Sequence, residues 1–329
     1  YRSILLDMTR MTDLVELDEK SLTATIQAGA TWMKFNLEVE KRGWQLGHKG
    51  TYGGFASTVG GGVSVNNNGF GSAVYGMSAD EVTNLNVVLP NGDILETGSR
   101  VNPNARRFFR FCVGPDLAGI FMSSGGTLGV ITEVTMRIYP KKKRKYGTVG
   151  FKDGKKAFEC YYDWIRNGHV DDMAWTPRVS PGSFPELTEK GYEGKISFMV
   201  QDVDEDVLEA KWKALVKTAK EHGGEILDPR YAESWYMYRS EWEGYIPQLR
   251  VGLIGRLRRN EPTEEGIHLI GTPCCHMVPV GDAWDHLQKM IELDNKYQEE
   301  MKKYNVSFAP GTGAYLGMKN AGHSPTGVG

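Results

Sequence analysis

The chain has 329 residues, a formal net charge of −2, 40% hydrophobic and 24% charged residues, which suits a globular protein of about two domains. The near-neutral balance argues against a dedicated nucleic-acid binder. No run approaches the roughly 18 apolar residues of a membrane-spanning helix and no signal peptide opens the sequence, so a cytoplasmic address is expected. The four cysteines, Cys112, Cys160, Cys274 and Cys275, have no zinc or iron–sulfur spacing and read as buried free thiols.

In chain order, β-type runs are expected at Ser3–Leu6, Thr23–Ala28, Leu85–Leu89, Ile94–Thr97 and Val130–Tyr139, and one amphipathic helix over Thr31–Arg42, ended by Gly43. Pro90-Asn91-Gly92 between Val87-Val88-Leu89 and Asp93-Ile94-Leu95 predicts a hairpin. The basic run Lys141–Lys145 reads as a solvated linker, and the boundary between two domains is placed there, giving 1–142 and 143–329. Beyond it helices are expected at Lys155–Arg166, Glu205–His222 and over most of Val280–Tyr304, with strands at Ile196–Gln201, Glu225–Leu227 and His268–Ile270. That alternation suggests an antiparallel sheet covered on one face by helices, and the whole chain is α+β. Tyr1 enters almost directly into an apolar run and the end is rich in Gly and Pro, so both domains are expected to lack sequence at their outer ends.

Glycine is densest over Gly50–Gly62 and again in Ser123-Ser124-Gly125-Gly126-Thr127-Leu128-Gly129-Val130-Ile131-Thr132. Glycine lets backbone N–H groups approach a ligand, and successive N–H groups in tight turns make an anion nest that suits a pyrophosphate. Tight turns between strands are the alternative use of such glycines. Two loops of one chemistry favour a large phosphate-containing cofactor, while neither matches a P-loop or a strand-borne GxGxxG.

The ordered motifs Leu6-Asp7-Met8-Thr9-Arg10-Met11, Ile26-Gln27-Ala28-Gly29-Ala30, Ser57-Thr58-Val59-Gly60-Gly61, Tyr75-Gly76, Val88-Leu89-Pro90-Asn91-Gly92 and Gly126–Thr132 together resemble the FAD-binding domain of the vanillyl-alcohol oxidase / p-cresol methylhydroxylase superfamily. Within it they are most similar to the branch of D-lactate dehydrogenase, glycolate oxidase and alkyl-dihydroxyacetonephosphate synthase. The resemblance covers residues 1 to about 140 and implies FAD. It places Ser57, Thr58, Gly60 and Gly61 along the diphosphate and ribityl chain, continues through Ser64, Asn68 and Gly69, and gives Gly126, Gly129, Val130 and Ile131 to the adenine end or pyrophosphate. The chain departs from the family where Gly125 stands in place of a usual glutamate and around Gly47-His48-Lys49, where a proline is common. It also starts after a further glycine-rich loop of its relatives.

The second domain is similar in plan to the superfamily's substrate-covering cap. There Arg239, in Trp235-Tyr236-Met237-Tyr238-Arg239, resembles an arginine that pairs with a substrate carboxylate. Equally, the stretch reads as an aromatic helix face, or as the wall of a flat pocket with Trp242 and Tyr245, in which Tyr238 supplies a phenolic group. Among seven histidines, His276 and His323 are the candidate bases. The metal-binding HxH pattern of hydroxyacid-oxidising relatives is absent, so no metal is expected. The resemblance implies hydride transfer from a hydroxyacid or alcohol, aromatic ones included, to flavin N5, with oxygen, a quinone or a protein as electron acceptor. The alternatives are non-redox flavin adduct chemistry of the alkyl-dihydroxyacetonephosphate synthase type and a non-catalytic FAD-binding subunit of a redox complex; a homo-oligomer is compatible with each.

Overall fold

The computed structural model describes residues 4–50, 54, 56–111, 114–177, 185–229, 231–232, 272–303, 315–317 and 321–328. Its contacts divide into two compact units, Tyr1–Lys142 and Lys143–Gly329.

In the first unit β1 (Leu14–Asp18) and β2 (Thr23–Gln27) form one hairpin, and β4 (Val82–Val88) and β5 (Ile94–Glu96) form another. The eleven-residue β6 (Val130–Pro140) lies between them and pairs antiparallel with both, giving the order β1-β2-β6-β4-β5, while β3 (Trp44–Leu46) pairs with the far end of β6. The Asn91-Gly92 turn closes as expected: Gly92 has φ 89° and the Leu89 amide donates to the Asp93 carbonyl at 2.9 Å. Helix α1 (Trp32–Glu40) begins where Thr31 accepts from the Lys34 amide, a side-chain cap for the first turn. It buries Trp32, Phe35 and Val39 against Ala24, Ile26, Val134 and Met136 of the sheet. Four short helices follow: α2 (Val59–Ser64), α3 (Ser72–Tyr75), α4 (Ser78–Glu81) and α5 (Leu117–Phe121).

Two expectations fail here. Residues Ile4 to Leu6 do not form a strand; they run outside the ladders, with Ile4 and Leu5 each 95% exposed. An apolar run marks a strand only when a partner edge is beside it. The basic run is not a linker either: Lys143 opens β7 (Lys143–Phe151), where Lys143 and Lys145 meet Glu205 and Glu209, and Lys145 Nζ sits 4.5 Å from the centre of the Trp212 ring. Lysine stems can line a strand while their charges reach partners at the surface.

The second unit is an antiparallel sheet in the order β10-β7-β9-β8-β12-β13-β11, built from β8 (Asp172–Pro177), β9 (Gly194–Asp202), β10 (Glu225–Ile226), β11 (Thr272–Pro279), β12 (Tyr315–Gly317) and β13 (Ala321–Val328). Helices α6 (Gly154–Asn167), α8 (Glu205–Glu221) and α9 (Ala283–Lys303) share one core with the sheet, through Phe158, Tyr161, Trp164, Leu208, Leu215 and Leu287 against Val149, Trp175, Ile196, Phe198 and Val200. A short α7 (Pro185–Glu189) precedes β9. Because side chains alternate along a strand, the residues between those core positions take the opposite face: Thr148, Asp172, Thr176, Lys195, Ser197 and Gln201, all buried. The unit is therefore a sheet with an apolar face under helices and a polar second face. Both units are antiparallel sheets with helices, an α+β chain.

Candidate functional site

The first glycine loop folds into α2 as a close-packed element. Thr58 caps it, its Oγ1 accepting from the Gly61 amide at 3.3 Å. The Val59 and Gly60 amides donate to the Ala30 and Ala28 carbonyls at 2.8 and 2.9 Å, and Gly62 donates to Thr58 O at 3.0 Å. All four amides from Val59 to Gly62 are thus engaged within the protein, so they do not form the anion nest that the glycine spacing suggests. Gly60 and Gly62 are needed for a different reason. A Cβ on Gly60 would stand 2.6 Å from Ala28 Cβ, and one on Gly62 would stand 2.6 Å from Trp32 Nε1. These glycines let α2 lie directly on the β2–α1 segment. Gly61 is different: it is exposed, and among the described residues its Cβ position meets only Thr58 Oγ1, at 3.1 Å.

The second loop is strained and open. Ser123, Gly125 and Gly126 have φ of 62°, 61° and 76°, and a Cβ on Gly125 or Gly126 would meet no atom within 4 Å among the described residues. Ser124 shapes the turn, accepting from the Gly126 amide at 3.2 Å and from Thr127 Oγ1, at 2.7 Å, through its carbonyl. Gly129 is packed, its Cβ position 2.6 Å from Val87 Cγ1. Val130 is exposed and Ile131 is in the core, and the two pair with Val88 and Val87 of β4.

One hydrogen bond joins the loops: the Gly125 amide donates to the Ser64 carbonyl at 2.9 Å. Ser64 Oγ in turn donates to Gly61 O at 2.8 Å. Gly61, Ser64, Gly125 and Gly126 are therefore linked into one strip, open at Gly125 and Gly126 among the described residues. Segments sixty residues apart in sequence supply it, as the two-loop reading requires. Gly69, by contrast, is buried, its amide donating to Ser72 Oγ at 3.0 Å. Asn68 is half-buried beside it.

Sequence reasoning passed over what lies beneath. His48 is fully buried, and burial pushes its pKa down to about 4, so it is neutral. A carbonyl only accepts, so the 3.3 Å contact with Gly76 O makes Nδ1 the protonated nitrogen; Asn67 Nδ2 then donates to Nε2 at 3.1 Å. Asn67 also holds α2 and α4, its amide donating to Gly62 O at 2.9 Å and its carbonyl accepting from Ser78 N at 3.0 Å. The available signal was a histidine just before the glycine run.

Of the candidate catalytic residues, Arg239 and Tyr238 lie outside the described residues, as do Trp235, Trp242 and Tyr245. His276 and His323 fall on neighbouring strands, His276 opposite Ser324 and His323 opposite Met277. They are one register step apart, so they do not face one another across the pair. His323 lies in the row Thr148–Ser197–Ala174–Leu316–His323–Met277, which runs through the polar second face. His276 falls in the neighbouring row. Sequence reading also missed Lys195 on that face. Burial pushes its pKa down to about 8, and its Nζ donates to the Tyr231 carbonyl at 3.4 Å.

Residues 1–98 match the family model for the FAD binding domain. The chain is 35% identical over 136 residues to the glycolate oxidase subunit GlcD of Bacillus subtilis, covering 41% of this chain and 27% of that protein. It is 34% identical over 149 residues to the alkyldihydroxyacetonephosphate synthase of Caenorhabditis elegans, covering 45% of this chain and 24% of that protein. Over 174 residues it is 29% identical to the mitochondrial cytochrome D-lactate dehydrogenase 1 of Saccharomyces cerevisiae, covering 52% of this chain and 28% of that protein. The matches thus span only about a quarter of each relative. The fold superposes on p-cresol methylhydroxylase with substrate bound at a TM-score of 0.71 and 15% identity, covering 98% of this chain and 65% of that one. An alkyldihydroxyacetonephosphate synthase structure gives 0.69 and 17%, covering 98% and 60%. The match to an FAD binding domain is carried by residues 1–98, and the protein is a flavoprotein whose cofactor is FAD. The residues fit the group: among the described residues nothing stands where a side chain would be at Gly125 and Gly126, and the positive-φ backbone there brings main-chain atoms to the surface.

Proposed function

We propose that the protein is an FAD-dependent oxidoreductase that removes a hydride from the CH–OH group of a hydroxyacid or alcohol, aromatic alcohols included. Support comes from the Ser64–Gly125 hydrogen bond, which assembles one strip from both glycine loops, and from relatives named as a glycolate oxidase subunit and as D-lactate dehydrogenases. In this reading Gly61, Ser64, Gly125 and Gly126 lie against FAD directly, while Ser57, Thr58, Gly60, Gly69, Gly129, Val130 and Ile131 shape the surface from behind and Asn68 borders it. Bound FAD supplies a two-electron acceptor for the substrate's hydride. Residues 143–329 form the substrate-covering domain. His276 or His323 takes the hydroxyl proton; Arg239 anchors a substrate carboxylate and Tyr238 adds a phenolic hydrogen bond. The acceptor is oxygen, a quinone or a protein, and the chain works alone, as a homo-oligomer or within a redox complex. Among the described residues no helix is long and apolar enough to cross a membrane.

The test is an absorption spectrum of the purified protein, then anaerobic titration with 2-hydroxy acids and phenolic alcohols. Flavin bands that bleach with one of these classes are expected. Bound flavin that no substrate bleaches would replace this reading with adduct-forming chemistry or a non-catalytic FAD-binding role, for which the 34% identity to an alkyldihydroxyacetonephosphate synthase speaks.

A further inference from the structure

Under the turn that carries Asn68 and Gly69 lies a buried carboxyl that the proposed reaction does not use. Glu81, the last residue of α4, has a side chain only 4% exposed. Its Oε1 accepts from the Tyr139 hydroxyl at 3.1 Å and lies 3.7 Å from Arg137 NH1, which is itself committed to Asp80 O at 2.7 Å. Its Oε2 is buried and makes no hydrogen bond among the described residues. That oxygen is wedged against Gly47, where even a methyl group would stand 2.6 Å from it and 2.5 Å from the Tyr75 ring.

Gly47 is where the carboxyl meets the cofactor loops. Its carbonyl packs directly on Gly71, whose φ of 87° starts α3. The next residue, His48, ties Gly76 to Asn67, and Asn67 leads into Asn68 and Gly69. From the other side Asn66, at φ 48°, accepts the Ala79 amide at 2.9 Å and so fastens the same turn to α4. Glu81 is therefore joined to both ends of the turn, through Gly47 and His48 on one side and through α4 and Asn66 on the other.

We propose that Glu81 is a positioning residue for FAD: its protonated carboxyl, held by Tyr139 and pressed against Gly47, sets the Asn66–Gly69 turn, and its ionisation weakens FAD binding. The proposal rests on the reading above in which Asn68 borders the FAD surface and Gly69 supports it from behind. A neutral carboxyl can leave one oxygen unpaired at modest cost, whereas a buried carboxylate demands a partner. Arg137 is the nearest cation, and turning towards Glu81 would break its bond to Asp80 O. The groups that face Glu81 are Arg137 and Tyr139 from β6, Asp80 from α4, Tyr75 from α3 with Lys142 donating to its hydroxyl at 3.0 Å, and His48, which stays neutral near pH 7. Burial pushes the Glu81 carboxyl up to about 7, outweighing Arg137 and Tyr139.

The experiment measures the FAD dissociation constant of the full-length protein by flavin fluorescence, from about pH 5.5 to about pH 8.5, for wild type, Glu81→Gln and Tyr139→Phe. Wild type is expected to lose affinity by about fivefold or more across neutrality, and Glu81→Gln to keep the low-pH affinity throughout. Tyr139→Phe should keep the step but move it to higher pH, because the phenol's hydrogen bond favours the ionised carboxyl. A merely structural Glu81 would not move a midpoint. The same step surviving in Glu81→Gln, or a flat wild type, overturns the proposal. If Glu81→Gln does not fold, the Tyr139→Phe midpoint decides: an upward shift supports the proposal and an unmoved one overturns it. Wild type that binds no FAD at any pH overturns the cofactor assignment and the proposal with it, a failure told apart by the missing flavin band.

Discussion

Two neighbouring glycines of α2 should respond oppositely to the same substitution. In Gly60→Ala the new methyl would meet Ala28 Cβ at 2.6 Å, Ala28 O at 3.1 Å and Ala28 Cα at 3.3 Å. Those atoms are the backbone of Ala28 and the Cβ fixed to it, and the Ala28 carbonyl also receives the Gly60 amide, so they cannot give way cheaply. Overpacking of this kind costs about 1–3 kcal/mol, and the gain in helix propensity over glycine returns about 1 kcal/mol. A net loss of about 1 kcal/mol, and up to about 2, is expected, a fall of roughly 2–8 °C in melting temperature for a unit of this size. In Gly61→Ala the methyl meets, among the described residues, only Thr58 Oγ1, a hydroxyl that can rotate, so the propensity gain survives and thermal stability holds or rises slightly. Yet that methyl enters the strip shared with Ser64 and Gly125, and FAD affinity should fall about tenfold, or about 1.4 kcal/mol. The assay is a thermal melt of the FAD-free proteins beside an FAD titration of each. Unchanged FAD affinity in Gly61→Ala would remove that residue from the cofactor surface, and an unshifted melt in Gly60→Ala would refute the packing argument.

Glu81 also links stability to pH. Its folded carboxyl is raised from 4.5 to about 7, so the folded state binds the extra proton and this contribution is present below pH 4.5 and lost as pH rises towards 7. Up to about 3 kcal/mol is at stake, and denaturant melts should show Glu81→Gln losing this slope; an identical slope would contradict it. Asp204→Ala removes the N-cap that accepts from the Asp206 and Val207 amides at the start of α8, and should cost about 1 kcal/mol by the same melts while leaving FAD affinity unchanged.

Much of this was readable from local pattern, and the failures have physical causes. Thr31 as a cap, the apolar spacing of Trp32, Phe35 and Val39 and the stop at Gly43 settle α1 within a few residues, and Asn91-Gly92 settles its hairpin. Helices α3 and α4 have only four residues each, too short for a period to show, and their bounds depend on tertiary contacts of Gly71 and Asn66. The two glycine clusters pointed to a shared ligand surface, but glycine content cannot separate Gly60, which serves packing, from Gly61, which is open; the distinction depends on Ala28. Lys195, Thr148 and Ser197 went unnoticed because a polar residue in a strand normally signals a solvated face, and here that face is buried. His48 was legible as a residue and not as a role, since its neutrality comes from burial alone.

The place of β6 in its sheet bears on how the protein is made. The hairpins β1–β2 and β4–β5 are local and can close while the chain is still being synthesised, yet each has only an open edge to offer until the strand that sits between them arrives. That strand follows directly after Gly125 and Gly126, so the bond to Ser64 and the docking of the sheet's middle strand come in one late step. A nascent chain that has emerged only as far as residue 120 can hold both hairpins but has no complete flavin surface, so cofactor capture would mark the moment the first unit is finished.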